Sequence, residues 1–205
     1  IVNDPVGLMR TASKTWLASL SDVPKPKTLI TSSQAAAEMF FQKQRHGVIL
    51  KPDAGAGGHH VTLIQEGQYD HLHETFRKFL RRGEPRVIVQ ENVGKHESSE
   101  KRLMWLDGEV IGGYQRTRAP GEFRHNLKQG AKPEPLTLSE EDKNLIAPLT
   151  PHLLRADIRL AGIDILGPHI LEVNVLNPGG AFHADRLNQT SLAETIVRKL
   201  LFRRR

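Results

Sequence analysis

The chain has 205 residues, a net charge of +6 and no cysteine, enough for one domain or two small lobes and without the means for disulfides, zinc–thiolate centres or thiol nucleophiles. No apolar run is long enough to span a membrane and no signal-peptide pattern is present, so a cytoplasmic protein is expected. The basic balance favours anionic partners, but with two Trp, two Tyr and no basic–aromatic stripe, nucleic acid is not the expected one.

The opening Ile1-Val2-Asn3-Asp4-Pro5 is not a natural start, and an earlier part of the protein is expected. A helix is predicted from about Leu8 to Leu20, with Trp16, Leu17 and Leu20 facing inward; Lys14 on it reads by itself as a solvated lysine. Pro24 and Pro26 end that helix, and Thr28 to Ile30 is a short strand. Thr31 to Gln34 has capping-box spacing and opens a helix carrying Ala35, Met39 and Phe40.

Val48 to Pro52 reads as a buried strand ending in Lys51. Asp53-Ala-Gly-Ala-Gly-Gly58 leads from it into Val61 to Ile64, a hairpin with a glycine-rich connection. A P-loop would lead into a helix and carry Gly-Lys-Ser/Thr, and neither is seen. Bare glycine amides beside Lys51 suit phosphate, although a mobile surface hairpin reads equally well. His59 and His60 are expected at the surface. Leu72, Phe76, Phe79 and Leu80 mark a core-facing helix, and Arg86 to Gln90 the next strand, followed by Glu91-Asn92-Val93 and a polar stretch from Lys95 to Glu100.

Arg102 to Leu106 and Glu109 to Gln115 form a hairpin about Asp107-Gly108. Arg116, Arg118 and Arg124 gather around Pro120-Gly121, as a solvated rim or as a clamp for carboxylate or phosphate. Asn126-Leu127 opens a loop too polar for the core. Ser139 caps a helix whose first turn is acidic and whose apolar face is Leu145, Ile146, Leu149, Leu153 and Leu154; Pro148 and Pro151 should split it. Ser191 caps a last helix with Leu192, Ile196, Leu200 and Val197 inward.

The stretch from Gly162 to Gly180 carries the chemistry. Two apolar strands turn at Gly167-Pro168, with Asp164 on the first and Glu172 and Asn174 on the second. Strand alternation puts Glu172 and Asn174 on one face and Val173 and Val175 on the other. Two carboxylates and an amide suit Mg²⁺, an ion that usually shares its shell with phosphates; a hairpin with polar outer residues is the plain alternative. Asn177-Pro178-Gly179-Gly180 then forms a turn whose amides are open to an anion.

Taken in order, these pieces resemble a known family, the ATP-grasp part of prokaryotic glutathione synthetase, over nearly the whole chain. The matching runs are N-D-P-x-G-L-x-R from Asn3, Lys14, I-L-K-P-x-x-G-x-G-G from Ile49, Val89-Gln90, Lys101-Arg102, Asp107-Gly108-Glu109, G-E-x-R-x-N-L from Gly121, Pro135 to Thr137, G-I-D-I-L-G from Gly162 and Glu172 to Val175. The resemblance implies an α+β ATP-grasp fold, two lobes with largely antiparallel sheets sandwiching the nucleotide. Residues 1–22 would be a leading helix packed on the core, 23–90 the small lobe with a glycine-rich lid, and 91–205 the large lobe with the metal site. The family's amino-terminal substrate domain has no counterpart here.

Carried over residue by residue, the resemblance gives Lys14 and Lys51 to the ATP phosphates and Gly55, Gly57 and Gly58 to the lid. Gln90, Glu91, Asn92 and Val93 become the adenine hinge, reached mainly through backbone, and Glu100 the ribose partner. Asp164, Glu172 and Asn174 would hold Mg²⁺, and Arg102, Arg116, Arg124 and Asn126 would stabilise an acyl phosphate and the peptide substrate. The implied activity is carboxylate–amine ligation with ATP and Mg²⁺, most simply of γ-glutamylcysteine with glycine. A ligase for another peptide or amino acid, or a nucleotide-binding module without turnover, is the alternative, and a homo-oligomer is compatible with all three. The chain departs from the family at Ala12-Ser13, in its glycine loop, in the shorter stretch from Lys128 to Glu134 and at Asn177-Pro-Gly-Gly. These differences leave ATP and metal binding intact and the substrate open.

Overall fold

Asp4 and Ser13 decide how the chain begins. In the computed structural model, which describes residues 2–53, 59–95 and 97–202, the expected single helix is two: α1 (Pro5–Thr11) and α2 (Lys14–Ser19). The Asp4 carboxylate accepts from Gly7 N–H, and Pro5 occupies the first helical turn, where its missing N–H costs nothing. Ser13 then breaks the run and restarts it, its hydroxyl accepting from Trp16 N–H at 3.2 Å. Gly7 is required by contact: a Cβ there would lie 1.9 Å from the Ala156 carbonyl oxygen. Asn3, buried, clips this segment down. Its amide donates to the carbonyls of Leu160 (2.8 Å) and Val175 (3.0 Å), and its oxygen accepts from the amides of Arg159 and Leu160, both at 2.8 Å.

Strands β1 (Thr28–Thr31), β2 (Val48–Lys51), β3 (Thr62–Ile64) and β4 (Val87–Glu91) form an antiparallel sheet in the order β1-β4-β2-β3. One face carries Val48, Leu50, Ile64, Val87 and Val89, packed under α3 (Gln34–Phe41) and α4 (Tyr69–Arg81) by way of Ala37, Phe41, Leu72, Phe76 and Phe79. Two residues of α3 differ from expectation. Ser33, not Thr31, is the N-cap, accepting from Ala36 N–H. That shift turns Ala37 and Phe41 inward and leaves Ala35 exposed and Met39 58% exposed. The opposite face of the sheet shows Thr28, Ile49, Lys51, Ile88 and Gln90, which pleat alternation and the register place together.

The second sheet runs β7-β6-β5-β8-β9, also antiparallel, from β5 (Ser99–Leu106), β6 (Glu109–Thr117), β7 (Lys132–Glu134), β8 (Leu160–Leu166) and β9 (His169–Asn174). Asp107 and Gly108 take φ of 48° and 105°, as a type I′ hairpin turn requires. Leu103, Trp105, Ile163, Ile165, Val173 and Val175 make the core face, covered by α2, α5 (Glu140–Ile146) and α6 (Thr150–Arg155). Ser139 and Asp142 form a full capping box at the start of α5, and Lys101 pairs with Asp142 at 2.7 Å. Leu154, expected on the apolar face, is 49% exposed because the helix restarts at Thr150 and turns it outward.

Two elements are additions to the sequence reading. The stretch after Asn126 is not all loop: Lys132–Glu134 pairs with β6 as an edge strand, where Pro133 is tolerated. A helix α7 (Ala181–Asn188) follows the Pro-Gly-Gly turn and, with α8 (Leu192–Phe202), covers one end of the sheet's other face through Met104, Tyr114, Ala184 and Leu192. The α8 amides are capped by the Asp185 carboxylate rather than by the Ser191 hydroxyl. Leu192 and Ala193 N–H donate to it at 2.5 and 3.0 Å. Val197, expected inward, is 52% exposed. Among the described residues, no helix is long and apolar enough to cross a membrane.

Candidate active site

Register brings the polar residues of four strands onto one face. In the second sheet Glu100 lies opposite Arg116, Arg102 opposite both Tyr114 and Asp164, Asp164 opposite Glu172, and Gly162 opposite Asn174. Alternation sends their neighbours Leu103, Ile163, Ile165 and Val173 into the core. The polar face therefore follows from the same pattern that builds the hydrophobic one.

Asp164 is its centre. Arg102 holds the buried carboxylate through a fork, Nε to Oδ1 at 2.5 Å and Nη2 to Oδ2 at 2.7 Å, and Arg116 Nη2 donates to Oδ1 at 2.7 Å. The Asn174 amide donates to Oδ2 at 3.2 Å. Burial pushes Asp164 upward, but the charges and hydrogen bonds of Arg102 and Arg116 outweigh it and hold the carboxyl below its ordinary range. Burial likewise opposes the Arg102 charge, and Asp164 more than restores it. Arg116 also pairs with buried Glu100, and Arg102 Nη1 reaches the Gly179 carbonyl at 3.0 Å. Gly180, at φ 140°, sits so close that a Cβ would meet Tyr114 at 3.0 Å and Arg102 at 3.3 Å. The Pro-Gly-Gly turn is thus seated on the arginine cluster.

The first sheet and α2 supply one lysine each, Lys51 and Lys14. Asp53, just past β2, accepts from Thr15 N–H at 2.8 Å, which ties the end of β2 to the start of α2. Lys14 then lies 3.4 Å from Glu172. Lys51 donates to Gln90 Oε1 at 2.9 Å. Burial pulls its ammonium down to about 8, with Glu172 opposing and Lys14 adding to the shift.

Between the sheets lies a cleft of about 910 Å³. Ile49, Val61, Val93, Leu166 and Leu171 belong to its apolar lining, and Lys51, Glu91, Asn92, Glu100, Asp164 and Glu172 to its polar lining. It opens toward a wider groove of about 2170 Å³ lined by Lys14, Lys51, Arg102, Arg116, Asn126, Lys128, Glu172, Asn174 and the turn at Asn177 to Gly180. A flat apolar slot ending in cations suits a nucleotide, and the basic groove beyond suits an anionic second molecule.

The other expected residues fall as follows. Gln90 has its backbone inside the sheet, opposite Thr28 on one side and Ile49 on the other. Glu91 and Asn92 donate their N–H groups to Lys27 and Gly47 carbonyls. Arg124 is not brought to Arg102 and Arg116. It pairs with Glu122 at 2.7 Å, holding that carboxyl down at about 2, and lines the smaller cleft with Asn126. Gly55, Gly57 and Gly58 lie outside the described residues. Sequence reading passed over Thr28, Tyr114 and His125. His125 is buried, pushed down to about 4 by burial and by Arg118 and Arg116, and its Nδ1 is 3.7 Å from Glu100. Its position, one residue before Asn126, was the available signal.

Among the described residues no cluster of three or more His, Cys, Asp or Glu could hold a metal. Around Asp164 the oxygen donors on neighbouring strand positions are two carboxylates, Asp164 and Glu172, and the Asn174 amide, while Glu100 on the same face is paired with Arg116. That oxygen-only set fits magnesium, which takes one or two carboxylates and completes its shell with phosphate and water. Asp164 would exchange guanidinium contacts for it.

The family model for the prokaryotic glutathione synthetase ATP-grasp domain matches residues 13–189. Glutathione synthetase of Thermosynechococcus vestitus is 32% identical over 197 residues, 96% of this chain and 61% of that one. Glutathione synthetase of Brucella melitensis is 30% identical over 195 residues, covering 94% and 61%. The chain thus spans about three-fifths of the length of the curated relatives it matches. A RiPP-associated ATP-grasp ligase of Chryseobacterium gregarium, solved with ADP and a leader and core peptide, superposes with a TM-score of 0.71 at 17% identity, over 98% of this chain and 62% of that one. D-alanyl-alanine synthetase A of Vibrio cholerae gives 0.69 at 16% identity, over 97% and 66%. At such identities the structural likeness speaks for the fold. With the fold, the ordered motifs and a family match across most of its length in agreement, the chain belongs to the prokaryotic glutathione synthetase ATP-grasp family.

Proposed function

We propose that this chain is the ATP-binding part of a cytoplasmic carboxylate–amine ligase that works through an acyl phosphate, joining γ-glutamylcysteine to glycine. The observation that carries the reading is the convergence of Lys14, Lys51, Arg102 and Arg116 with Asp164 and Glu172 where an apolar slot meets a basic groove. In the proposed arrangement, residues 23–90 form the small lobe and 91–205 the large one, with 1–22 packed on the latter.

A carboxylate is a poor acyl donor because oxide is a poor leaving group. Attack of its oxygen on the γ-phosphorus of ATP, with ADP leaving, gives an acyl phosphate; attack of an amine nitrogen on the acyl carbon then expels phosphate. The first step needs alignment and charge neutralisation more than a protein nucleophile. The slot holds adenine, with residues 90–93 along its edge and Glu100 at the ribose. Lys14 and Lys51 meet the phosphates; Gly55, Gly57 and Gly58, expected to exclude water there, lie outside the described residues. Asp164, Glu172 and Asn174 would hold magnesium, which would supply Lewis-acid polarisation of the phosphates. Arg102 and Arg116 face the groove end, where charge gathers on the acyl phosphate. Arg124 and Asn126 border the same passage.

The test is ADP release by a full-length form supplied with ATP, magnesium and panels of peptide acids and amines. Release that requires both γ-glutamylcysteine and glycine supports the proposal. Release with a different acid–amine pair moves the assignment to another ligase of this fold, a reading favoured by the Asn177-Pro178-Gly179-Gly180 turn seated on Arg102. Nucleotide binding with no release for any pair would make it a binding module.

A further inference from the structure

Lys51 is a buried ammonium whose head is held by one side chain, and that side chain is itself held. Gln90 Oε1 accepts from Lys51 Nζ at 2.9 Å, Gln90 Nε2 donates to Thr28 Oγ1 at 2.9 Å, and Thr28 Oγ1 donates to the Pro26 carbonyl at 2.9 Å. The three residues lie on the adjacent strands β1, β4 and β2 and on the same face. Thr28 is directly opposite Gln90, Gln90 is opposite Ile49, and Lys51 is two residues beyond Ile49. Lys51 and Gln90 are each 8% exposed.

The chemistry of the chain of donors fixes its direction. A carbonyl can only accept, so the Thr28 hydroxyl proton goes to Pro26 and its lone pair faces Gln90. Gln90 must then turn its amide nitrogen to Thr28 and its oxygen to Lys51, whose ammonium has only donors. No other assignment of the amide satisfies both ends. Gln90 was expected at the adenine hinge mainly through its backbone, an expectation that leaves its side chain open, and that side chain is committed to the lysine.

We propose that Gln90 and Thr28 are positioning residues for Lys51, a relay across three strands that sets where its ammonium meets the polyphosphate of the nucleotide. The proposal rests on the ATP reading above and assigns these two side chains to the phosphates rather than to the base.

The test compares two probes on the full-length protein, the non-hydrolysable analogue AMPPNP and adenosine, which has the base and ribose but no phosphate. Gln90→Leu, close to isosteric, should weaken AMPPNP by about tenfold, the loss of one hydrogen bond to a charged group, and should leave adenosine unchanged. Thr28→Val should weaken AMPPNP less, by freeing the amide to turn, and Thr28→Ser should restore it. In turnover the loss should appear in KM for ATP before kcat. Equal weakening of both probes would place Gln90 on the base and overturn the proposal, as would unchanged AMPPNP affinity in both Gln90→Leu and Thr28→Val. If Gln90→Leu fails to fold, the Thr28 pair decides by the same criteria. Wild-type protein that binds neither probe would sink the nucleotide reading itself, whereas wild-type binding with either overturning pattern sinks this inference alone.

Discussion

Replacing Arg102 by Met removes the fork on Asp164 while keeping most of the side-chain volume. Three donor contacts disappear, two to the carboxylate at 2.5 and 2.7 Å and one to the Gly179 carbonyl at 3.0 Å. Breaking a buried ion pair from one side costs about 3–5 kcal/mol, and because Arg116 still donates to Oδ1 the lower end, about 3 kcal/mol, is expected. For a chain of this size that is a drop of about 6–12 °C in Tm. The assay is thermal melting without nucleotide or metal, so that stability is read apart from catalysis, within a cycle of Arg102→Met, Asp164→Asn and the double variant. The cycle should return a coupling of at least about 1 kcal/mol, since the two groups touch. The deficit should also depend on pH in one direction. Asp164 is held below its ordinary range, so its stabilising effect is present above that range and lost as pH falls through the folded value. A protonated Asp164 no longer misses its cation, so the variant's deficit should shrink as pH falls. A Tm within 2 °C of wild type, or additive single effects, would refute the claim that Arg102 and Asp164 form one unit.

Glu172 is partly exposed and lies 3.4 Å from Lys14, so Glu172→Gln should shift Tm little, under about 1 kcal/mol, while sharply reducing ADP release; unchanged release at saturating ATP would remove it from the site. Lys51 lies at about 8 against an ordinary 10.5, so between those values the unfolded chain holds a proton that the folded one has released, and stability should rise with pH. Measured against Lys51→Met, the gain should be about 3 kcal/mol across that window, and a flat difference would contradict a buried lysine. Asn3→Ala removes four hydrogen bonds, two donated to the Leu160 and Val175 carbonyls and two accepted from the Arg159 and Leu160 N–H groups, at a cost of about 2–4 kcal/mol; a melting curve matching wild type would show that Asn3 does not clip the chain's first segment.

Much of the fold was legible because burial repeats with the period of its element. The hairpin at Asp107-Gly108, the Ser139 cap with its acidic first turn and the Leu72, Phe76, Phe79 stripe all appear as read. What escaped was local competition for the backbone. Ser13 offers a hydroxyl that restarts a helix inside a stretch read as one, Ser33 one that starts a helix two residues after Thr31, and a cap can also come from elsewhere, as Asp185 does for α8. Helix α7 was missed because Ala184 is its one buried residue among the described ones, too little to leave a stripe. Strand β7 carries a proline and is three residues long, so its pairing with β6 rests on the neighbouring strand more than on its own sequence.

The site divides in the same way. Asp164, Glu172 and Asn174 could be placed together from alternation within one hairpin, since period-two geometry needs no partner strand. The pairing of Arg102 with Asp164 needed the register between β5 and β8, 62 residues apart, which no local pattern encodes. Once that register is known, the rest follows without further freedom. Glu100 is two residues before Arg102, Arg116 two after Tyr114, and each therefore shares the face of Asp164. A family of motifs spread along the chain is then a single row of charges on one sheet, met by Lys51 from the first sheet and by Lys14 from α2. Arg124 shows the limit of reading arginines by proximity in sequence. It lies eight positions from Arg116, but the turn at Pro120-Gly121 and the Glu122 carboxylate carry its guanidinium to a different wall of the cleft. A charge on a strand inherits its place from the ladder, whereas a charge on a loop takes it from whichever counter-ion the loop itself provides.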